Sequence, residues 1–256
     1  MKFTLYTADC TGNAKNTIYP HQKVITSEAD LKKAVASDHV CAKYDNDTRC
    51  DANFQISDVV PMDCDNDHSN NPDDWITPEK LSEMLTDVAF AVTYSRHHML
   101  AKGSVSARPR FHVFFPTMPC KDAAFHKSIK ARIHKELPFF DGNALDASRF
   151  LFGSKGDVVW HEGSLTIEDW LQLMKTSHSI PQGQRNSTMS RMAGGWSSGS
   201  VSPKKPMRSS SKRLRNAIRR WTMRNWRISG QVPANSAGKS PRRKDMCHPT
   251  STVKTA

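Results

Sequence analysis

The sequence predicts an α+β fold for its first 180 residues. Segments with the two-residue period of strands and segments with helix-start signals follow one another along this part of the chain. They do so without a strict strand–helix–strand repeat, which disfavours a doubly wound parallel sheet. After Pro181, serine, arginine, glycine and proline dominate and the apolar periodicity is lost. A disordered tail is therefore expected over residues 181–256.

The predicted strands are short runs rich in β-branched and aromatic residues. The run that begins at Phe111 is expected to end before Pro116, because proline cannot donate a hydrogen bond to a strand ladder. The strands are predicted at residues 2–6, 58–65, 90–94 and 111–115, with a last one around Val158 and Trp160.

The predicted helices begin at residues that can cap a free helix N-terminus. Ser27 precedes two acids, and Thr77 precedes Pro78 and further acids, so each is expected to be an N-cap. Two further helices are predicted from their apolar spacing, over residues 122–136 and 167–174.

The positive charge of the chain is concentrated in its last part. Residues 181–256 hold 17 lysines and arginines and one acid, Asp245, whereas residues 1–180 hold 20 basic and 24 acidic residues. The net charge of +12 therefore belongs to the tail, and the first 180 residues are mildly acidic. The tail alone would suggest a nucleic-acid-binding protein.

Several classes of protein are disfavoured by the sequence. There is no apolar run of about 18 residues, so no membrane-spanning helix is expected. The N-terminal stretch lacks the apolar segment of a signal peptide. The six cysteines are scattered and none forms a C-x-x-C pair, which disfavours a structural zinc site. We expect a protein of the reducing cytoplasm with no membrane association.

Asp63 and Asp65 are the first candidate site residues. They lie two positions apart at the end of a predicted strand, so both side chains are expected on the same face of the sheet. Two ionised carboxylates side by side are costly unless a cation lies between them, and Mg²⁺ or Mn²⁺ prefers such oxygen ligands. The alternative is a solvated acidic turn, since the acidic run continues through Asp67.

His112 lies inside the predicted strand 111–115, close to two arginines. A histidine beside Arg108 and Arg110 could bind phosphate, because arginine offers forked donors and histidine a directed one. The alternative is a core histidine satisfied by a backbone carbonyl, with both arginines in solvent.

Asp146 precedes the apolar run that ends at Gly153. Taken locally, it is expected to be a helix N-cap, with Arg149 near it on the next turn as a salt-bridge partner.

The order of these motifs resembles the archaeo-eukaryotic primase superfamily, and most of all its primase-polymerases from phages and integrated elements. The resemblance covers about residues 44–192 and rests on four strings: MDCDNDHS, AFAVTYSRHHM, SARPRFHVFFP and FDGNALDASRFLFG. It implies an RRM-like catalytic core beside an N-terminal α/β unit, within a catalytic domain of residues 1–180. It also implies replication of phage or mobile-element DNA in a bacterial or phage-infected cell.

The resemblance also implies a role for each motif. Asp63, Asp65 and Asp146 would hold two Mg²⁺ or Mn²⁺ ions. His112 would contact the phosphates of the incoming nucleotide, although the residue two before it is Arg110 where the superfamily often has serine. Arg108, Arg110 and Arg149 would contact nucleotide or template. The implied partners are single-stranded DNA, nucleoside triphosphates and a replicative helicase.

Two alternatives to a primase remain open at this stage. One is a metal-dependent nuclease that uses Asp63, Asp65, Asp67 and His68. The other is a non-catalytic nucleic-acid-binding protein driven by the basic tail.

The tail itself has two interpretations. The residues from Gly195 onward can be encoded by codons that, read in a shifted frame, give an amino-acid sequence with helical periodicity. A frameshift there could therefore have replaced a helical continuation of the chain. The other interpretation is a native DNA-binding arm. The gene sequence distinguishes them, since codons that cannot encode the shifted string exclude the frameshift.

Overall fold

The chain folds around two antiparallel sheets, as seen in a computed structural model that describes residues 1–179. The N-terminal sheet has the strand order β2-β1-β3-β8 and the central sheet the order β4-β5-β7-β6-β9. The strands of the N-terminal sheet are β1 Phe3–Thr7, β2 His21–Ile25, β3 His39–Val40 and β8 Phe150–Leu151. Those of the central sheet are β4 Lys43–Tyr44, β5 Phe54–Cys64, β6 Phe90–Tyr94, β7 Phe111–Cys120 and β9 Val158–His161.

Helices accompany both sheets, which confirms the predicted α+β class. The predicted caps are in place: the Ser27 side chain accepts from the Asp30 backbone N–H at 3.1 Å, and Thr77 accepts from that of Lys80 at 3.3 Å. The α-helices are α1 Glu28–Ala34, α2 Pro78–Met84, α3 Ala123–Glu136 and α4 Ile167–Ser179, and single 3₁₀ turns lie at Asp45–Asp47, Asp51–Asn53 and Pro72–Asp74.

Several sequence predictions fall outside this description or differ from it. The predicted basic tail and the proposed frameshift near Gly195 lie outside the described residues. Strands β2, β3, β4 and β8 were not predicted. None of the helices within residues 1–179 is long and apolar enough to cross a membrane.

The prediction that the fourth strand ends before Pro116 is wrong, because β7 continues to Cys120. Pro116 lies opposite Val59, where the pairing of β5 with β7 shifts register between Ser57 and Val59. Strand β6, the neighbour of β7 on its other side, pairs with β7 only from Phe111 to Phe114, so it does not reach Pro116. A proline is tolerated at such an irregular, half-unpaired position because its missing N–H breaks no regular ladder bond.

Aromatic packing joins the two sheets. The Phe3 ring in β1 stacks on Phe114 of β7 and on Trp160 of β9, with ring centroids 5.9 and 6.2 Å apart. Phe3 and Phe114 are fully buried. The same face of the central sheet carries His112, which lies two positions from Phe114. One end of this face is therefore buried under the N-terminal sheet, and the other end holds the polar residues described below.

The edge of β5 is covered by α3 and the segment that follows it. Strand β4 pairs with β5 only at its start, around Phe54 and Ile56. Further along, the carbonyl of Val59 accepts from His126 Nε2 at 3.3 Å, and the carbonyl of Asp63 accepts from the Asp141 N–H at 2.8 Å. These bonds satisfy polar groups that would otherwise be unpaired at a sheet edge.

His126 is expected to make the protein sensitive to mild acid. Burial lowers the pKa of His126 from 6.5 to about 4. Between these values the unfolded chain binds a proton that the folded chain does not, so stability present above pH 6.5 is lost as the pH falls. This loss amounts to roughly 3 kcal/mol. The measurement is the free energy of unfolding in urea at pH 7 and at pH 4.5.

The variant His126→Gln should lose less stability than the wild type between those two pH values. Exposed His68 offers a matched control, and His68→Gln should keep the wild-type difference. Equal losses for the wild type and His126→Gln would show that this histidine is not the group responsible.

Candidate active site

The centre of the candidate site is the pair formed by Asp63 and His112. Asp63 on β5 lies directly opposite His112 on β7, so the two side chains share a face of the central sheet. His112 Nδ1 lies 2.8 Å from Asp63 Oδ1. Because an ionised carboxylate only accepts, the proton of this bond is on Nδ1. His112 Nε2 makes no hydrogen bond to another described residue.

Arg149 approaches the same carboxylate from the segment just before β8. Its Nε and Nη2 atoms donate to Asp63 Oδ2 at 3.1 and 2.7 Å. The local prediction of an Asp146–Arg149 salt bridge is therefore wrong, as is the prediction that Asp146 caps a helix, since residues 144–149 contain no helix. Arg149 pairs instead with a carboxylate 86 positions away in the chain.

The Asp63 carboxylate is held in its ionised form. Burial alone would raise the pKa of Asp63, but the charges and hydrogen bonds of His112 and Arg149 outweigh burial and hold that pKa well below its usual range. Burial opposes and the Asp63 charge favours the cationic form of Arg149, and the pKa of Arg149 is raised overall. Only 9% of the Asp63 side chain is exposed, against 32% of Arg149.

Asp65 is the more accessible carboxylate. Its side chain is 30% exposed, and its Oδ2 atom lies 4.0 Å from Lys102 Nζ. Burial, together with the negative charges of Asp63 and Asp67, raises the pKa of Asp65 in spite of Lys102. Burial is thus the main factor against the ionised form of Asp65, and a cation bound beside it would favour that form.

Asp63 and Asp65 alone are fewer than the three carboxylates that the sequence predicts as metal ligands. Among residues 1–179 no three His, Cys, Asp or Glu side chains form a metal-binding group, so the predicted set of three carboxylates is not assembled by protein atoms alone. Mg²⁺ is commonly bound by one or two carboxylates, with substrate phosphates and water completing its shell. Asp63 accepts three hydrogen bonds, and a carboxylate has about four acceptor positions, so one position remains.

Asp146 is connected to this pair through a buried lysine. Lys130 of α3 is fully buried, and its Nζ donates to the Asp146 backbone carbonyl at 3.0 Å. Burial lowers the pKa of Lys130 to about 8, although the charges of Asp146 and Asp63 oppose that decrease. The Asp146 carboxylate makes no hydrogen bond within residues 1–179. Lys130 thus fixes the backbone of the segment that carries Asp146 and Arg149.

Arg108 is used inside the protein. It is 2% exposed, and its guanidinium donates to the carbonyls of Asn66 and Ser69 and to the Asn70 side chain, at 2.9, 3.3 and 3.1 Å. These bonds fix the loop that follows Asp65. The geometry makes Arg108 a positioning residue for this loop.

Arg110 is equally buried but only partly satisfied. Its Nη1 atom donates to the carbonyls of His97 and Leu100 at 3.2 and 2.7 Å. Its Nε and Nη2 atoms are buried without a hydrogen-bond partner among the described residues. Unsatisfied buried donors are costly.

This structure is similar to a phage primase-polymerase. It matches the AEP domain of the cyanophage S-2L primase-polymerase over 67% of this chain and 87% of that one, with 13% sequence identity and a TM-score of 0.38. No family model matches the sequence, and no curated protein matches it. At this identity and TM-score the likeness alone assigns neither family nor activity.

Sequence reasoning missed Lys130, Lys102 and Asn66. Lys130 could have been found, because it follows Ile129 on the apolar stripe of α3, where a charged residue is unusual. Asn66 is fully buried and has a positive φ of 55°. Its side chain donates to the carbonyls of Ile76 and Pro109. The acidic run around Asn66 gave no sign that it is buried.

Proposed function

We propose that this chain is a template-dependent nucleotidyltransferase of the primase type, whose catalytic part is residues 1–180. The supporting observation is that Asp63 and His112 share one face of the central sheet, that Asp65 follows directly after the end of β5, and that Arg149 from the third motif pairs with Asp63. Motifs far apart in sequence thus converge on one carboxylate. The proposed partners are single-stranded DNA and nucleoside triphosphates.

In this proposal the carboxylates of Asp63 and Asp65 hold Mg²⁺ or Mn²⁺, with Asp146 as a third ligand. Metal ions held by these carboxylates would supply Lewis-acid activation for the primer 3′-hydroxyl and positive charge for the leaving pyrophosphate. The ionised state of Asp63 is already secured by His112 and Arg149, so it needs no proton loss to act as a ligand.

The cationic residues are proposed to bind and orient the triphosphate. Asp63 fixes the ring of His112 through Nδ1 and directs Nε2 away from Asp63, so that Nε2 donates to a phosphate oxygen when the ring carries both protons. Arg149 is 32% exposed and can reach a ligand. The Nε and Nη2 atoms of Arg110 have no partner among the described residues but are buried, so their contact with a triphosphate requires the surrounding loop to move. Donors that are fixed before the substrate arrives are the main protein contribution to phosphoryl transfer.

The test is incubation of the full chain with single-stranded DNA, nucleotides and Mg²⁺ or Mn²⁺. We expect products that depend on nucleotide, metal and template and that are lost in Asp63→Ala and Asp65→Ala. Strand cleavage without nucleotides would instead indicate the nuclease. Binding of DNA with no synthesis, unaffected by either substitution, would indicate a non-catalytic binding protein.

A further inference from the structure

The loop between β6 and β7 exposes two neighbouring apolar side chains. Met99 is 51% exposed and Leu100 is 54% exposed. They form the tip of the loop, defined as these two residues, and the exposed cations Arg96 and Lys102 flank them in sequence. Scattered exposed apolar residues are common, but a contiguous pair within a basic loop needs a reason.

The fold holds this tip in a fixed shape. Buried Arg110 donates to the carbonyls of His97 and Leu100, on both sides of Met99. The Met99 N–H donates to the carbonyl of Arg108 at 3.0 Å. Met99 also has a positive φ of 54°, an unfavourable conformation for a residue with a β-carbon. Strain of this kind persists only where surrounding bonds impose it, and it is common at binding sites.

The tip borders the acidic site. Lys102 Nζ lies 4.0 Å from Asp65 Oδ2, and the charge of Asp65 acts on the His97 side chain. A molecule that contacts Met99 and Leu100 is therefore close to the carboxylates proposed for catalysis.

We infer that Met99 and Leu100 pack against an unstacked base of single-stranded DNA, an inference that rests on the proposed function. A base offers an apolar face to the tip, and the strand offers a phosphate on each side of that base. Arg96 and Lys102 lie on either side of the tip in the chain, which matches this arrangement of charge. A free nucleotide carries phosphates on one side only, so it fits the two flanking cations less well. Contact with base faces tolerates any sequence.

The test compares the full chain with a Met99→Ser, Leu100→Ser double variant in the absence of metal and nucleotide. Affinity is measured by fluorescence anisotropy on single-stranded DNA and on an abasic strand of equal length. We expect the double variant to bind DNA about tenfold more weakly, as for loss of one base contact. The abasic strand should bind both proteins equally.

Two further variants keep the result interpretable. Met118 is 74% exposed on β7, so Met118→Ser controls for loss of an exposed methionine and should bind like the wild type. Met99→Leu keeps an apolar tip and should also bind normally. Unchanged DNA affinity in the double variant would overturn the inference. An equal loss on the abasic strand would do so too. A change in sedimentation with unchanged DNA affinity would assign the tip to a second copy of the chain.

The outcome is distinct from that of the proposed function. If the wild type synthesises DNA while the double variant keeps its base-dependent affinity, the tip inference fails and the proposed function stands. If the wild type synthesises nothing yet the base-dependent difference is present, the tip inference stands alone.

Discussion

Replacing Asp65 with asparagine is expected to reduce nucleotide incorporation by at least about 10³-fold. The substitution keeps the size of the side chain and removes the negative charge that would hold a divalent cation. Asp65 is 30% exposed and its nearest cation is 4.0 Å away, so little folding free energy depends on its charge. The measurement is the single-turnover rate of incorporation with Mn²⁺ varied, alongside the urea unfolding midpoint.

Asp67 offers the matched control for this prediction. It lies two residues further along, and its side chain is 61% exposed and 3.5 Å from Arg108 Nη1. An exposed ion pair contributes little, and Arg108 keeps its bonds to the Asn66 and Ser69 carbonyls, so Asp67→Asn should incorporate nucleotides at close to the wild-type rate. A normal rate in Asp65→Asn, or an equal loss in Asp67→Asn, would remove Asp65 from the proposed catalytic set. An equal loss would instead indicate a general effect of local negative charge.

Replacing Arg149 with glutamine is expected to lower the free energy of unfolding by about 3 kcal/mol. The substitution removes two hydrogen bonds, at 2.7 and 3.1 Å, from the carboxylate of Asp63. Asp63 is 9% exposed, so the charge left behind keeps only its hydrogen bond to His112. The measurement is urea unfolding at pH 7.

The double variant Asp63→Asn, Arg149→Gln separates the ion pair from the packing of these side chains. It removes the buried charge together with its partner, so it should recover much of the stability lost in Arg149→Gln. The control is Arg132→Gln on the exposed side of α3, which should change stability by less than about 0.5 kcal/mol. If Arg149→Gln matched that control, the pair would contribute little to folding.

The sequence predicted secondary structure correctly where apolar residues recur with the period of a strand or a helix. The apolar runs of β6 and the start of β7 predicted both strands. Asp65 lies one residue beyond the end of β5, so the expectation that it shares a face with Asp63 stays a prediction. Strand β2 was missed because four of its five residues, His21 to Val24, are exposed and give no apolar alternation. Strands β3, β4 and β8 have two residues each, too few for any period to appear.

The contacts that build the site could not be predicted from local pattern. Arg149 follows Asp146 at helical spacing, yet its partner is Asp63, which only the tertiary fold brings near. The sequence suggested that Arg108 and Arg110 are free to bind phosphate. In the structure, Arg108 donates to the Asn66 carbonyl and Arg110 to the Leu100 carbonyl. Long-range pairing of this kind depends on how loops close, and loop closure leaves no periodic trace in the sequence.

The covered edge of β5 has a consequence for association between molecules. A bare strand edge is a template on which another chain can add a strand. The bonds from His126 and Asp141 occupy carbonyls along this edge, so another chain could add there only after α3 and the following segment detach. The strand that carries the acidic residues is thereby protected against edge-to-edge aggregation, and a ligand must reach it across the sheet face.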